Sequence, residues 1–544
     1  MKYANNNIVL ILIFLISTNT FSQNISEQIT IKFDYSNYKN HIYTLGSDLF
    51  EGRGTGTKGG ELAANYIKEK FKEINLSTIP NSNAYFQEVP LHGSIALDKS
   101  KLVIYTKKDT FFLKHREDYL LINTGEQTII PYPIEITFSG YGIIAPEFDH
   151  FDYGENDITG KISIIFSGEP ESNDFDYFNG DQPTIYSYND VKNRIALSRG
   201  AAGTIIIPQI QVDSFNEWHK LINEYSFEDV NLLYSASKNF SIILNPKIAK
   251  EIFNISQLTS FAEITKNFNK SNFKLMFEGN FQERDFIAHN VIGILNPNGI
   301  KTEDAIIISA HYDHLGIGAK VNGDSIYNGV LDNAMGISAL IEIAKILKAN
   351  ERFLNRSIIF IAVTGEEKGL LGSTYYTDHP IIPLYKTISN LNIDGIAYLD
   401  EFNSVIGIGS ELSDLDLLFE TTANLLDLKI SEIPPEFYNT EAFNRSDQIA
   451  FAKAGIPSIL VLDGIDYKNI SREDALRKIF YYNQNIYHTP FDDLTTKIDS
   501  DAVQKHIKFL TYLIFQIANS TNEIKWKPNS PYNFMRLQTK AEKR

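Results

Sequence analysis

Five short runs of apolar, β-branched residues punctuate the C-terminal half of this chain, at 304–310, 357–363, 387–393, 404–407 and 458–462. Helical periodicity fills gaps between them, as over 336–348 and 412–426. Runs that are apolar at nearly every position are strands buried on both faces, and their alternation with helices places helices over both faces of a sheet. From about 285 onward the sequence therefore predicts an α/β fold with a mostly parallel or mixed sheet. A last amphipathic helix is predicted over 505–518, and the segment after 519 is polar and reads as peripheral.

Upstream, 58–72 carries Leu62, Ala63, Tyr66, Ile67 and Phe71 at helical spacing. Just before it, Gly54, Gly56 and Gly59 formally match G-x-G-x-x-G. A dinucleotide fingerprint follows a buried strand, which 47–51 is not, and a phosphate-binding Walker loop needs Gly-Lys-Ser/Thr. The stretch 51–60 reads instead as a flexible loop capping a helix. Between about 90 and 281 short strands dominate, at 101–105, 134–138, 161–166, 204–207 and 240–244, with one helix at 190–199. The predicted organisation is a signal peptide at 1–22, the first part of the main domain at 23–89, a β-rich insert at 90–281, the rest of the main domain at 282–525 and a polar tail at 526–544.

Charge and composition narrow the function classes. The 544 residues include 67 acidic and 50 basic side chains, a net charge of −17, which argues against nucleic acid as a partner. The absence of cysteine excludes disulfides, thiolate metal sites and a cysteine nucleophile, so any metal must be held by His, Asp and Glu. Lys2, the apolar run 8–16 and the small residue Ser22 have the order of a cleavable export signal, with an uncleaved anchor as the competing reading. The run is short for a membrane span, and no later stretch reaches that length. The expectation is an exported chain, periplasmic or secreted, without stable membrane insertion.

Acidic and imidazole side chains collect where the predicted strands end, the edge at which an open α/β sheet places its sites. His311-Tyr312-Asp313 follows the first strand, Asp332-Asn333 opens a helix, Gly365-Glu366-Glu367 follows the second strand, Asp394 ends the third, and Tyr487-His488-Thr489-Pro490 comes late. Singly, each piece also fits a surface turn, a solvated face or a helix cap; their ordered recurrence gives them weight. His311, His488, Asp332, Glu367 and Asp394 could hold two metals if one carboxylate bridges. An N/O donor set suits zinc, with manganese or cobalt as substitutes. Two close metals share a water and clamp a carbonyl. Of the adjacent pair Glu366 and Glu367, one can bind metal while the other faces that water as general base. Asp313, two residues beyond His311, is placed to orient the imidazole.

This ordered set resembles peptidase family M28, the dinuclear zinc aminopeptidases. The segment from Leu45 to Gly56, Ser446-Asp447 and Ala454-Gly455-Ile456-Pro457 agree with that resemblance. The insert, with Gly140-Tyr141-Gly142-Ile143 and Arg199-Gly200-Ala201-Ala202-Gly203, resembles a protease-associated (PA) domain. The resemblance implies a zinc exopeptidase-like fold, peptide substrates cleaved at the N-terminus, and two zinc ions per chain. His311 and Asp394 would hold one ion, Glu367 and His488 the other, with Asp332 bridging. Glu366 would activate a metal-bridging water, Asp313 would support His311, and the Asp332–Asn333 peptide bond would be cis. The chain departs from the family pattern at Leu331, Met335 and Gln448, the last at a position expected to line the substrate side. The alternatives are a carboxypeptidase or dipeptidase on the same scaffold, supported by Arg445 alone, a one-metal aminoacyl cyclase, and a non-catalytic binder working through the PA-like insert, whose partner is unknown.

Overall fold

The computed structural model describes residues 29–543 except 123–128, 155–156, 171, 173, 175, 179, 181–183, 210–214, 236–239, 256–260, 271 and 441; the expected signal peptide at 1–22 lies outside the described residues. The chain divides into two compact units, one formed by residues up to Val89 together with Ile287–Arg544, the other by Pro90–Phe286.

The first unit runs through α1 (Tyr35–Leu45), α2 (Lys58–Glu73), β1 (Phe281–Leu295, of which Ile287 onward belongs here), β2 (Ala305–His311), α3 (Met335–Ala349), β3 (Ser357–Val363), α4 (Leu371–Asp378), β4 (Thr387–Asn392), β5 (Ser404–Ile408), α5 (Leu415–Leu425), β6 (Lys429–Ile430), α6 (Gln448–Lys453), β7 (Ser458–Asp463), α7 (Arg472–Asn485), α8 (Ser500–Asn519) and α9 (Asn533–Ala541). Its strands lie in the order β1-β3-β2-β4-β7-β5-β6. The central β3, β2, β4 and β7 are parallel, flanked by antiparallel β1 and β5. The fold is thus the mixed-sheet α/β class expected.

Every residue of β2, β3 and β4 is buried. Successive side chains of a strand point to opposite faces, and the packing follows that alternation. Ile306, Ile308, Ala310, Ile358 and Phe360 join α3 and α8 in one core. Ile307, Ile359, Ile361 and Val363 pack with Tyr376 of α4 and Phe451 of α6 in another. Helix α3 is apolar almost all round because every residue from Met335 to Leu347 except Lys345 is buried.

Topology and register create the site. The chain leaves β2 for β3 on one side, then crosses to β4 on the other, which opens a crevice at the carboxyl ends of these strands. His311 pairs with Val363, and Ser309 with Asn392. The residues just beyond β2, β3 and β4 therefore emerge side by side.

Two segments differ from their sequence reading. The stretch 51–60 is not a flexible loop: Gly52, Arg53, Gly54 and Thr55 are buried. Its glycines permit close backbone approach, since a Cβ at Gly59 would stand 2.0 Å from the Phe50 carbonyl oxygen and one at Gly52, with φ +64°, 2.3 Å from that of Tyr327. It does cap a helix, through Thr57, which accepts from the Gly60 amide. The polar tail is anchored rather than peripheral. Trp526 is buried and donates to the Gly455 carbonyl, and Arg536 of α9 donates to that of Leu384. Composition hid this because single anchors among polar residues leave no apolar run.

The second unit holds an eight-stranded sheet in the order 110–113, 101–105, 274–278, 129–138, 162–166, 203–207, 240–244, 119–121. The neighbours from 129–138 through 240–244 run parallel and the others antiparallel. Strands 162–166, 203–207 and 240–244 are wholly buried. Among the described residues no helix is long and apolar enough to cross a membrane.

Candidate metal centre

His311 ends β2, Glu366 and Glu367 follow β3, and Asp394 follows β4, so the strand register brings them to one edge. Asp332 joins them from the irregular turn Val330–Ala334 that leads into α3, and His488 from the turn after α7. All the acids and imidazoles singled out in the sequence meet here.

Their donor atoms form two groups that share one carboxylate. His311 Nε2 lies 3.2 Å from Asp394 Oδ1 and 3.3 Å from Asp332 Oδ1. His488 Nε2 lies 3.1 Å from Glu367 Oε2 and 3.5 Å from Asp332 Oδ2. Asp332 thus turns one oxygen to each group. Glu366 neighbours His311 and Glu367 in a further acid–imidazole group. A third imidazole, that of His314, was not singled out in the sequence; its Nδ1 is 2.6 Å from Glu367 Oε1.

The centre suits cations. The His311 Nδ1–H donates to the Asp313 carbonyl oxygen at 3.1 Å, which leaves Nε2 to face two carboxylates. The His488 Nε2 atom is buried and faces the Glu367 and Asp332 carboxylates. Nitrogen and oxygen donors alone, in groups of three or more whose atoms lie within 4.8 Å of one another, fit a borderline metal such as zinc.

Charges inside the cluster shift one another. Burial opposes the charged form of His488, yet Glu367 and Asp332 outweigh it and raise its pKa to about 10. His311 is raised well above the usual histidine range: burial opposes this, and Glu366, Asp394 and Asp332 overcome it. Burial also works against ionised Asp332, but hydrogen bonds from His311 and His488 hold its carboxyl well below the usual range. Glu366 goes the other way: burial, assisted by Glu367, Asp394 and Asp447, raises its carboxyl well above the usual range despite His311.

Residues distant in sequence hold this arrangement. Arg53 is wholly buried and donates to the carbonyls of Leu45, Tyr312, Asn328 and Gly329 at 2.6–2.8 Å. It thereby ties the turn after β2 to the turn carrying Asp332. Burial lowers its pKa to about 10, with Asp492, Asp332, Asp313 and Glu367 opposing. Asp492 accepts from the amides of Leu331 and Asp332 at 2.9 and 3.0 Å. The Asp332–Asn333 peptide bond is cis. Asn333 donates to the Ile393 carbonyl and accepts from the Gly336 amide, where a Cβ would stand 2.0 Å from its Oδ1.

Two expected roles change. The backbone carbonyl of Asp313, not its carboxylate, orients His311; the carboxylate instead accepts from the Glu366 amide at 3.2 Å and from Thr55 Oγ1 at 2.9 Å. Two residues beyond the imidazole, the backbone curls under the ring and the side chain points across to β3. Gln448 does not line a substrate surface: it is buried, accepts from Asn392 Nδ2, and donates to the carbonyls of Ala442 and Phe443. Sequence reasoning also missed Arg53 and Asp492. The one signal for Arg53 was an arginine among glycines, and for Asp492 an acid four residues after His488.

Comparison with known proteins gives the following. Residues 290–514 match the model described as peptidase family M28. Over 230 residues the chain is 26% identical to "Aminopeptidase YwaD" of Bacillus subtilis, covering 42% of this chain and 44% of that protein. Over 253 residues it is 27% identical to "probable leucine aminopeptidase 2" of Aspergillus oryzae, covering 44% of this chain and 46% of that protein. The chain thus spans less than half the length of these curated relatives. The solved structure "Aminopeptidase from Aneurinibacillus sp. strain AM-1" aligns with a TM-score of 0.56 at 19% identity, over 92% of this chain and 98% of that one, which is a likeness of fold.

Two outcomes are expected. Replacing Arg53 by Lys leaves several buried carbonyls without a donor, so chemical unfolding should show a loss of about 3 kcal/mol or more, with reduced metal retention. Wild-type stability and metal content would contradict that. Because Glu367 and Asp332 raise the pKa of His488 to about 10, metal uptake there must displace a proton. Calorimetric metal titration at pH 7 in buffers of different ionisation heat should report net proton release, with affinity rising with pH. Uptake of protons, or affinity that falls as pH rises, would contradict it.

Proposed function

Through residues 290–514 the chain belongs to peptidase family M28, and from that premise we propose that it is a hydrolase of peptide bonds: an exopeptidase with two zinc ions that removes residues from the free N-terminus of peptides. The observation that carries this reading is the division of Asp332 between two imidazole–carboxylate groups. His311 and Asp394 would hold one ion and Glu367 and His488 the other, with Asp332 contributing to both. Manganese or cobalt would fit the same donors. Ions bound there would supply a lowered water pKa and polarisation of the scissile carbonyl.

The chain's own residues do the rest. Glu366 takes a proton from the attacking water and returns it to the leaving amine. Its raised carboxyl pKa suits a group that must hold a proton and then release it. Asp313 fixes the Glu366 backbone through the amide bond described above. The relatives named as aminopeptidases support the N-terminal end of the peptide as the point of cleavage.

Pro90–Phe286 is read as the PA-type insert. The chain is read as exported, periplasmic or secreted, on the strength of its first 22 residues. One observation favours a second reading, a carboxyl-terminal exopeptidase. Exposed Arg445 reaches to 3.5 Å from the Tyr487 hydroxyl, and the Tyr487 ring stacks on His488 at 3.8 Å. That places a cation beside the centre.

Purified protein should hydrolyse free N-terminal aminoacyl substrates, lose this activity to a chelator and regain it with zinc, and leave N-acetylated counterparts intact. Cleavage of the blocked substrates, with dependence on Arg445 and a free C-terminus, would favour the second reading. Glu366→Gln should keep its metal while turnover falls on the order of 10²–10⁴-fold. Near-normal turnover in that variant would remove Glu366 as the base.

A further inference from the structure

A cavity of about 740 Å³ lies against the turn that carries Asp332, between α7 and the segment 491–499. Leu331, where the chain departs from the family pattern, forms part of its wall. The two neighbours face different ways: Asp332 turns its carboxylate oxygens to the imidazoles, while Leu331 borders the cavity. Asp492 holds the amides of both. Ile486 and Phe491, on either side of His488 in the chain, also line the cavity, whereas the acids and imidazoles of the metal centre do not. The cavity is therefore a space distinct from the metal centre.

Its lining follows from helical spacing. Arg477, Tyr481 and Asn485 recur every fourth residue of α7, with Lys478 and Tyr482 beside them, so one face of this helix combines cations with aromatic rings. Across from it, Tyr398 stands with its ring centroid 6.3 Å from that of Tyr482. Tyr481 and Phe491 keep ring surface exposed, and Lys497 adds a third cation.

Charge in the lining is not balanced from within. Asp499 is its one carboxylate, and its Oδ1 already accepts from the Asp501 and Ala502 amides at the start of α8. Arg477 pairs with Asp474. Lys478 and Lys497 are exposed and form no ion pair among the described residues. Two ammonium groups left over beside aromatic rings run against the net charge of −17. Small-molecule sites are typically clefts of about 300–1,000 Å³ with apolar and aromatic walls and a few placed polar groups. We propose that this cavity binds a small organic anion, a carboxylate that carries an aromatic ring system. Its charge lies with Lys478 and Lys497, and its rings pack against Tyr398, Tyr482 and Phe491. The site is independent of what the metal centre catalyses.

Calorimetric titration of the full zinc-loaded chain with naphthylacetate tests this. One equivalent should bind. Naphthylacetamide, which lacks the charge, and acetate, which lacks the rings, should each bind about 10-fold more weakly or worse. The double variant Lys478→Glu, Lys497→Glu, changed only at exposed positions, should lose about 10-fold or more in affinity while its zinc content and melting temperature stay as in wild type. Unchanged affinity in that variant would place the probe on the metals or elsewhere and overturn the proposal. Equal affinity for the amide would leave an apolar slot, and equal affinity for acetate only a patch of charge; either would also overturn it, and neither comparison needs a variant to fold. Absence of binding at millimolar probe would overturn it outright.

Discussion

The first unit is organised around a concentration of like charge that cannot stand unaided. Asp313, Asp332, Glu366, Glu367, Asp394, Asp447 and Asp492 converge at one edge of the sheet, where Asp313, Asp447 and Asp492 are wholly buried. Facing them are His311, His314, His488 and Arg53. Burying a carboxylate without a partner is costly, and a group so placed takes up a proton or binds a cation. Asp447, pushed up to about 7 chiefly by burial, and Asp492, pushed up to about 6 for the same reason, show the first response. The pairing of Asp332 with imidazoles on both sides prepares the second.

That requirement explains much of the surrounding architecture. Carboxylates will not remain close unless the backbone beneath them is held, and the holding groups come from both ends of the unit. Arg53, near its beginning, satisfies carbonyls of the turns that carry Asp313 and Asp332. Asp492, near its end, receives the amides that precede and include Asp332. Asn333 fastens the same turn to the end of β4. Close packing at Gly52, Gly59, Gly329 and Gly336 follows, because each lies where a side chain would displace one of these strands or turns.

How much of this the sequence revealed depends on the kind of signal each residue leaves. The strands and principal helices were legible because burial on both sheet faces demands long apolar runs. His311, Glu366, Glu367 and Asp394 were legible because a charged residue directly after such a run is conspicuous, and the parallel register brings those positions together. Arg53, His314 and Asp492 left almost no signal: each acts through backbone groups or atoms supplied by segments 53 or more residues away. Asp313 was found for the wrong atom, since a residue name does not say whether carbonyl or carboxylate will meet the neighbouring ring. Gln448 was misread because its substrate-facing role was inferred from a pattern, while its buried amide is spent on Asn392, Ala442 and Phe443. The anchored tail was obscured by its polar composition.

The most direct measurement is anomalous diffraction at the zinc edge from crystals of the protein grown with zinc. The expected result is two peaks per chain, one on each side of the Asp332 carboxylate: the first among Asp332, His311 and Asp394, the second among Asp332, Glu367 and His488. A single peak, or peaks away from Asp332, would contradict a shared-carboxylate centre.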